Sequence, residues 1–203
     1  MKPYLLAVTG GIGSGKSTVS HYFAERQLPV LDLDQVGHLL LTEEDVKLAL
    51  YLQFGADICA NDGAIDRGKL AARCFLDSAA MATLNGVMHP KIWQYVLQWM
   101  DAQPNEKILV IEASVLIEAG FASRVDGVLV VMADRAIRQQ RVALRDCCSE
   151  ERFHQITAMQ CSDASRRAVA DWVIENNHDL LSLRTKIEAV YNELLNRVRG
   201  ALT

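Results

Sequence analysis

Long hydrophobic runs and an excess of positive charge are both missing from this 203-residue chain. No apolar stretch approaches the roughly 18 residues that a membrane-spanning helix requires. At the N-terminus, Lys2 and Pro3 lead directly into a predicted strand, without the apolar segment and cleavage site of a signal peptide. The formal net charge of -4 and the pI near 5.7 give no electrostatic reason to expect nucleic acid as a partner. The sequence therefore predicts a cytoplasmic protein that binds neither membranes nor nucleic acids.

The five cysteines form no C-x-x-C pair, and the adjacent Cys147 and Cys148 are poorly placed to ligate one metal ion. Because thiols stay reduced in the cytoplasm, we expect these two and Cys59, Cys74 and Cys161 to be free and structurally incidental. Internal repeats and low-complexity linkers are absent as well. The length suits one sizeable core with an insertion rather than two full domains.

What the chain contains is an alternation of short apolar runs with amphipathic stretches, which predicts an α/β fold. Strand, crossover helix and strand in succession imply parallel strands with right-handed connections. We therefore expect a five-stranded parallel sheet flanked by helices, with ligands at the carboxyl ends of the strands. The predicted strands are 4–8, 30–33, 107–113, 127–132 and 172–174. Helical periodicity over 43–54, 69–75 and 81–100 predicts a mostly helical insertion, and a last helix is predicted over about 180–199.

The first predicted strand runs into the pattern G-x-x-x-x-G-K-[ST], with Gly10 and Gly15 as the fixed glycines, followed by Lys16 and Ser17. Glycines allow the backbone to turn its N–H groups inward around an anion. Lys16 adds a positive charge, the hydroxyl of Ser17 can ligate Mg²⁺, and the helix that follows contributes its N-terminal dipole. The pattern has its strand before and its helix after, so it predicts a phosphate-binding loop.

Two aspartates, Asp32 and Asp34, end the second predicted strand, at the same sheet edge as the loop. Being two residues apart in a strand, they are expected to face the same way. A carboxylate there can accept a proton from an attacking hydroxyl or hold a metal-bound water. The alternative is that one of them caps the next helix. We favour catalysis for Asp34, which is expected to lie farther from the strand toward solvent and substrate, and capping for Asp32.

Three arginines, Arg138, Arg141 and Arg145, recur at spacings of three and four on a predicted helix and should share a face. Further arginines follow at 152, 166 and 167. Planar guanidinium groups suit the charge that spreads over a phosphoryl group in transfer. The alternative is a solvated face paired with the nearby acidic residues. For the group we favour a lid over the triphosphate, with Arg141 as the strongest single candidate.

Other polar residues allow more than one role. Glu112 follows an apolar strand, where an acidic residue can hold Mg²⁺ through water. Glu118 either contacts a substrate or caps a helix. His89 precedes Pro90, so it is expected to begin or interrupt a helix, and a lone histidine is more often a structural hydrogen-bonding group than a base.

The order and spacing of several motifs resemble the dephospho-CoA kinase family, which adds the 3′-phosphate in the last step of coenzyme A biosynthesis. The motifs are TGGIGSGKSTV at 9–19, D-x-D at 32–34, DGAIDRGKL at 62–70 with Phe75, LNGVMHPKI at 84–92, VLIE at 115–118, QQRVALRD at 139–146, Gln160, and ADWVIEN at 170–176. The match covers nearly the whole chain, although only the first motif is specific by itself.

This resemblance implies a P-loop nucleoside-triphosphate hydrolase fold with a helical substrate-binding insertion at about 60–105, a lid at about 138–168, and ATP and Mg²⁺ as cofactors. It implies dephospho-CoA as substrate, and we expect a monomer or weak homo-oligomer. Carried over by position, the nucleotide-binding residues are Gly11, Ile12, Gly13, Ser14, Gly15, Lys16, Ser17, Thr18 and Asn176, with Ser17 as the metal ligand. The catalytic residues are Asp34, Lys16 and Arg141, and the acceptor site is formed by Asp34, His89, Leu116 and Glu118.

The chain departs from the family pattern at several positions. The family usually has Asp-Val-Pro-Leu-Leu where this chain has 112–116, with Ser114 in place of the proline. Asn177 replaces a glycine, Arg166 a lysine, and Gly37 and His38 an alanine and an arginine. These changes leave the phosphate loop and Asp34 untouched.

Two other functions remain open on the residues alone. One is a small-molecule kinase with a different acceptor, such as a nucleoside, a sugar acid or shikimate. The other is a nucleotide-controlled switch. Such a protein requires a guanine-specific N-K-x-D motif, which this sequence lacks.

Overall fold

A computed structural model describes residues 2–75, 77–146 and 148–200, and only the backbone of Phe75. Cys147 and the side chain of Phe75 therefore lie outside the described residues. In chain order the elements are β1 (Tyr4–Thr9), α1 (Lys16–Glu25), β2 (Val30–Asp32), α2 (Leu33–Leu40), α3 (Glu44–Phe54), α4 (Arg67–Phe75), α5 (Ser78–Asp101), β3 (Ile108–Ala113), β4 (Gly127–Met132), α6 (Arg135–Asp146), α7 (Glu150–Met159), α8 (Asp163–Ala168), β5 (Trp172–Glu175) and α9 (Leu180–Gly200). Short 3-10 helices span Ala56–Ile58 and Ala122–Arg124.

The chain divides into two compact units. The core unit consists of the chain up to Asp32 and from Gln103 onward, and the helical unit is Leu33–Ala102. All five strands described belong to the core unit, in the order β2-β3-β1-β4-β5, and every pairing is parallel. This confirms the predicted α/β architecture. The sheet has β1 at its centre, so the loop after β1 lies at the middle of the carboxyl edge.

The core of this unit forms because its central strands are apolar along most of their length. All six residues of β3 are buried, which is typical of a strand covered on both faces. One side of the sheet packs against α1 and α9, whose apolar residues recur at spacings of three and four. The helical residues in this cluster are Val19, Tyr22, Phe23, Leu183, Ile187, Val190, Leu194 and Val198.

The amino edge of the sheet is closed by a polar network around Arg197. Its Nη1 donates to Asp171 Oδ1 at 2.7 Å and to the Tyr4 hydroxyl at 3.2 Å, and the guanidinium carbon lies 4.5 Å from the centre of the Trp172 ring. The Tyr4 hydroxyl in turn donates to the backbone oxygen of Asp126 at 2.8 Å. The hydrogen bond from Arg197 to Asp171 is the main reason that the pKa of Arg197 is raised. The ends of three strands are thereby tied to the last helix.

In the helical unit, α2, α3 and α4 pack against the long helix α5. Asp77 caps α5, because its Oδ1 accepts the N–H groups of Ala79 at 2.9 Å and Ala80 at 3.2 Å. The helix then continues for 24 residues and contains Pro90. The prediction that His89 begins or interrupts a helix is therefore wrong. A proline removes one hydrogen bond of the ladder, and a helix of this length with buried residues on both sides of the proline retains the rest.

Four cysteines described by the structure, Cys59, Cys74, Cys148 and Cys161, are free thiols, as expected. Burial is the main cause of a raised pKa at Cys74 and Cys161, which favours their protonated form. Across the described ranges, no helix combines the length and apolar character needed to cross a membrane.

Candidate functional site

The predicted phosphate-binding loop connects β1 to α1 and has backbone conformations that require glycine. Gly13 has φ of 76° and Gly15 has φ of 101°, both in the left-handed region. A Cβ on Gly13 would lie 2.6 Å from the backbone oxygen of Arg138, and one on Gly15 would lie 2.4 Å from Asn176 Nδ2. A side chain at either position would therefore displace the segments that pack on the loop. Helix α1 starts directly at Lys16, so its dipole points at the loop.

Two amide side chains from distant parts of the chain hold the loop. Asn176, at the end of β5, donates from Nδ2 to the backbone oxygen of Ser14 at 2.8 Å. Gln160, between α7 and α8, accepts the backbone N–H of Ile12 through Oε1 at 3.0 Å. The motif residues quoted from both regions are thus brought to the loop. The sequence alone gave no reason for Gln160 to be there beyond its place in the family pattern.

Ser17 and Glu112 bring two side-chain oxygens together where the loop runs into α1. The hydroxyl of Ser17 donates to Glu112 Oε1 at 2.8 Å, and Glu112 is buried. Hard oxygen donors of this kind suit Mg²⁺, which keeps most of its waters and takes only one or two protein ligands in nucleotide sites. Consistent with so few protein ligands, the described residues include no cluster of three or more histidine, cysteine or acidic side chains placed to hold a metal ion. The residues present therefore fit Mg²⁺ bound together with phosphate.

The arginines of α6 do not share one environment. Arg138 is buried against the loop, and Arg141 donates from Nη2 to Asn176 Oδ1 at 3.4 Å. Arg145 is exposed and forms two hydrogen bonds of 2.7 Å with its neighbour Asp146. The solvated alternative is thus correct for Arg145, whereas the first two arginines face the loop region. Spacing could not separate them, because it fixes a face of the helix and not what that face meets.

Buried donors at this end of the sheet have no hydrogen-bond partner among the described residues. They include Arg138 Nε, Arg141 Nη1 and Arg166 Nη2. A buried donor without a partner in the folded chain is costly, and a ligand that accepts its hydrogen bond explains it. Three cationic side chains with vacant donors beside a glycine loop fit a polyphosphate anion.

The two aspartates predicted to end the second strand lie in different elements. Asp32 is the last residue of β2, and its Cα is paired with that of Glu112, so it lies at the carboxyl edge of the sheet. Asp34 is the second residue of α2 and belongs to the helical unit. The prediction that both residues lie in one strand and face the same way is therefore wrong. A carboxylate in the first turn of a helix also interacts favourably with the helix dipole.

The reason is that α2 begins without a connecting loop. Leu33, Val36 and Leu40 recur at helical spacing and are all buried. The sequence contains this spacing, but the apolar run at 30–33 predicts a strand through residue 33, whereas β2 ends at Asp32 and Leu33 begins α2.

The proposed acceptor residues are distributed over both units. In the core unit, Leu116 is fully buried, and Glu118 Oε1 accepts the backbone N–H of Cys161 at 2.6 Å. In the helical unit, His89 lies within α5, where burial lowers its pKa and favours the neutral ring at pH 7. His38, which stands where the family usually has arginine, lies 2.7 Å from Arg67 through its Nε2.

Asn177 replaces a glycine of the family pattern and has a structural role here. Its Oδ1 accepts the backbone N–H of Asp134 at 2.8 Å, and its Nδ2 donates to Asp134 Oδ1 at 2.9 Å. The amide therefore links the end of β5 to the segment before α6, which carries Arg138 and Arg141.

Comparisons with known proteins agree with this architecture. A model of the dephospho-CoA kinase family matches residues 4–182. The dephospho-CoA kinase of Fusobacterium nucleatum is 34% identical over 188 residues, which cover 93% of this chain and 97% of the relative. The crystal structure of TT1252 from Thermus thermophilus superposes with a TM-score of 0.83 at 30% identity, covering 96% of this chain and 99% of that one. The dephospho-CoA kinase structure from Campylobacter jejuni shares the fold, with a TM-score of 0.68, 23% identity, and coverage of 94% and 96%. This chain belongs to the dephospho-CoA kinase family.

Proposed function

We propose that this chain transfers the γ-phosphoryl group of ATP to the ribose 3′-hydroxyl of dephospho-CoA, giving coenzyme A and ADP. The observation that carries the phosphoryl-transfer part is the glycine loop at the centre of the sheet edge, surrounded by buried arginines with vacant donors. The acceptor is inferred from family membership. As in other phosphoryl transfers, the protein acts by positioning and charge stabilisation, without a covalent intermediate.

The nucleotide would be held by the backbone from Gly11 to Thr18 and by the ammonium group of Lys16. Asn176 completes this site at the adenine end, and its bond to Ser14 fixes it against the loop. Arg141 adds positive charge from α6. ATP supplies the phosphoryl group that is transferred.

Ser17 and Glu112 would hold Mg²⁺, Ser17 directly and Glu112 through water. Their oxygens are already within hydrogen-bonding distance of one another, so little rearrangement is needed for both to face the same metal ion. Mg²⁺ neutralises phosphate charge when it is bound.

Asp34 is our candidate for the base that accepts the proton of the 3′-hydroxyl as its oxygen attacks phosphorus. It follows two residues after Asp32, which lies at the carboxyl edge of the sheet beside Glu112. His89, Leu116 and Glu118 are the other candidates for the acceptor site. The neutral ring of His89 suits a hydrogen-bonding role rather than an ion pair with the substrate.

The experiment that tests the function is an ADP-release assay with a panel of acceptors, run with and without Mg²⁺. We expect release to depend on Mg²⁺ and on dephospho-CoA, with little turnover before the acceptor is added. Preference for shikimate, a sugar acid or a nucleoside would show a kinase with a different acceptor. Slow hydrolysis that no acceptor accelerates would point to a nucleotide switch.

The role of Asp34 is tested by Asp34→Asn. We expect turnover to fall about 10²- to 10⁴-fold, the usual contribution of a positioned base. Affinity for a non-hydrolysable ATP analogue, measured by calorimetry, should stay close to that of the wild type. Asp32→Asn is the matched control and should cost less, and turnover of Asp34→Asn near the wild-type value would show that the base lies elsewhere.

A further inference from the structure

Two arginines crowd the first part of the phosphate-binding loop. Arg138 is 6% exposed and Arg166 is 3% exposed. A Cβ built on Gly11 would lie 2.2 Å from Nη1 of Arg138 and 3.6 Å from Nη1 of Arg166. Both guanidinium groups therefore lie directly over this glycine, although they come from different helices, α6 and α8.

A single carboxylate serves both cations. Asp163 Oδ1 accepts Nη1 of Arg166 at 2.9 Å, and Asp163 Oδ2 lies 3.4 Å from Nη2 of Arg138. The buried ammonium group of Lys16 belongs to the same loop. The two guanidinium groups share this carboxylate, whose side chain is 45% exposed, so Asp163 neutralises the pair only in part.

The hydrogen-bonding capacity of the two arginines is also incomplete. Nε of Arg138 and Nη2 of Arg166 are buried and have no acceptor in the described part of the chain. A structural ion pair normally satisfies its donors, because leaving them unpaired costs free energy. Two buried guanidinium groups that share one carboxylate and keep unpaired donors indicate a site for an anion.

We propose that Arg138 and Arg166 together bind the terminal phosphate of ATP and that Asp163 holds them in position for it. This proposal rests on the proposed function for the identity of the anion. The choice of phosphate follows from the two ends of the loop. Asn176, which the proposed function puts at the adenine end, contacts Ser14 and the Gly15 position, whereas the arginines contact Gly11. Phosphates that run along the loop from Asn176 reach Gly11 last.

The pair acts on the transfer step through charge. The 3′-hydroxyl oxygen forms a bond to the γ-phosphorus, the bond from that phosphorus to the bridging oxygen of ADP breaks, and the proton goes to the base. Negative charge spreads over the γ-phosphoryl oxygens during this step, and planar guanidinium donors stabilise it. Both arginines are therefore catalytic residues in addition to Arg141.

The direct test compares binding of a non-hydrolysable ATP analogue and of ADP by calorimetry in Arg138→Gln. A hydrogen bond to a charged group contributes roughly 1.5–3 kcal/mol, so the analogue should bind at least about tenfold more weakly. ADP should bind almost as well as to the wild type, because it lacks the terminal phosphate. Arg138→Lys should be intermediate, since it keeps the charge and loses the planar fork. Equal losses for the analogue and ADP would overturn the choice of phosphate, and no loss for either would overturn the site.

Arg145→Gln is the matched control for these measurements. Arg145 lies on the same helix but is exposed and paired with Asp146. We expect both affinities to remain unchanged in this variant. A loss equal to that of Arg138→Gln would mean that removing any positive charge from α6 is enough, and the proposal would be wrong.

A second test uses Gly11→Ala and does not depend on changing a charge. Gly11 does not have a positive φ, so alanine is strained there only by its contact with Arg138. We expect Gly11→Ala to displace the guanidinium and weaken analogue binding, and to add little in the Arg138→Gln background. Fully additive losses would show that the two residues act separately and would overturn the proposal.

Because these tests measure nucleotide binding alone, a failure of the proposed acceptor would appear separately, as wild-type protein that binds the analogue but does not phosphorylate dephospho-CoA.

Discussion

Arginines lie at both edges of the sheet in the core unit, but the hydrogen-bond partners that the folded chain gives them differ. At the amino edge, Arg197 is paired with Asp171, donates to Tyr4 and stacks on Trp172. At the carboxyl edge, Arg138 and Arg166 share one carboxylate and keep buried donors without partners. The folded chain supplies partners for the guanidinium group of Arg197, although Nε1 of Trp172 beside it is a buried donor without one, whereas Arg138 and Arg166 keep unpaired donors that fit the proposed anion.

This difference separates arginines that stabilise the fold from arginines available for chemistry. Both kinds occur in helices that pack against the same sheet, so position in the chain does not distinguish them. The distinguishing property is whether the folded chain itself supplies the partners. Substitutions at the two edges should therefore affect different measurements.

Among the variants that compare the two edges, the largest effect is expected at the carboxyl edge, from Lys16→Ala. Removing the ammonium group from the loop should lower turnover with saturating acceptor by about 10²- to 10³-fold, as the loss of a preorganised charge does in other active sites. Chemical denaturation should show a folded protein with a smaller change in stability than at the amino edge. If turnover were preserved and the unfolding midpoint fell instead, the proposed distinction between the edges would fail.

At the amino edge, Arg197→Gln should give the reverse result. The change removes the hydrogen bond to Asp171 and the stacking on Trp172, and we expect the free energy of unfolding to fall by about 2 kcal/mol. Urea denaturation followed by circular dichroism measures this loss. Turnover per folded molecule should match the wild type, and a drop in turnover comparable with that of Lys16→Ala would contradict our interpretation.

The smallest effect is expected from Gly127→Ala, the amino-edge counterpart of Gly11→Ala. A Cβ on Gly127 would lie 2.4 Å from the Tyr4 hydroxyl and 3.0 Å from Cζ3 of Trp172. Because the added Cβ displaces a hydroxyl that is hydrogen-bonded to Asp126 and Arg197, we expect a loss of about 1 kcal/mol in stability and unchanged turnover. Tyr4→Phe removes the contacting hydroxyl, so the double variant should lose less than the sum of the two single ones. If the stability losses of the two single variants simply added, the contact between the new Cβ and the Tyr4 hydroxyl would not be the source of the strain.

The sheet could be predicted from the sequence because each central strand is a nearly continuous apolar run. The predicted bounds of β4 match the structure, and β3 begins only one residue later than expected. Helices α7 and α8 were not predicted. They are short and polar, with single buried residues at Phe153 and Arg166, so hydrophobic periodicity gives no signal for them.

The loop itself was predictable because its chemistry is local: strand, glycines, lysine, hydroxyl and helix follow one another in the chain. The side chains that surround it were less so. Asp163 carried no signal at all, and Arg138 and Arg145 were equivalent by spacing, although one proved buried and the other solvated. Which side chains meet the loop depends on how α6 and α8 pack on the sheet edge, and that is a property of the tertiary structure.

The hydrogen bond between Gln160 and the Ile12 N–H links the phosphate-binding loop to the segment between α7 and α8. Gln160 precedes α8 by three residues, and α8 carries Arg166. Any outward movement of that segment breaks this bond and leaves the Ile12 amide to be solvated. A single neutral amide therefore holds both the loop backbone and the segment before Arg166, in addition to the ion pairs that Asp163 makes with Arg138 and Arg166.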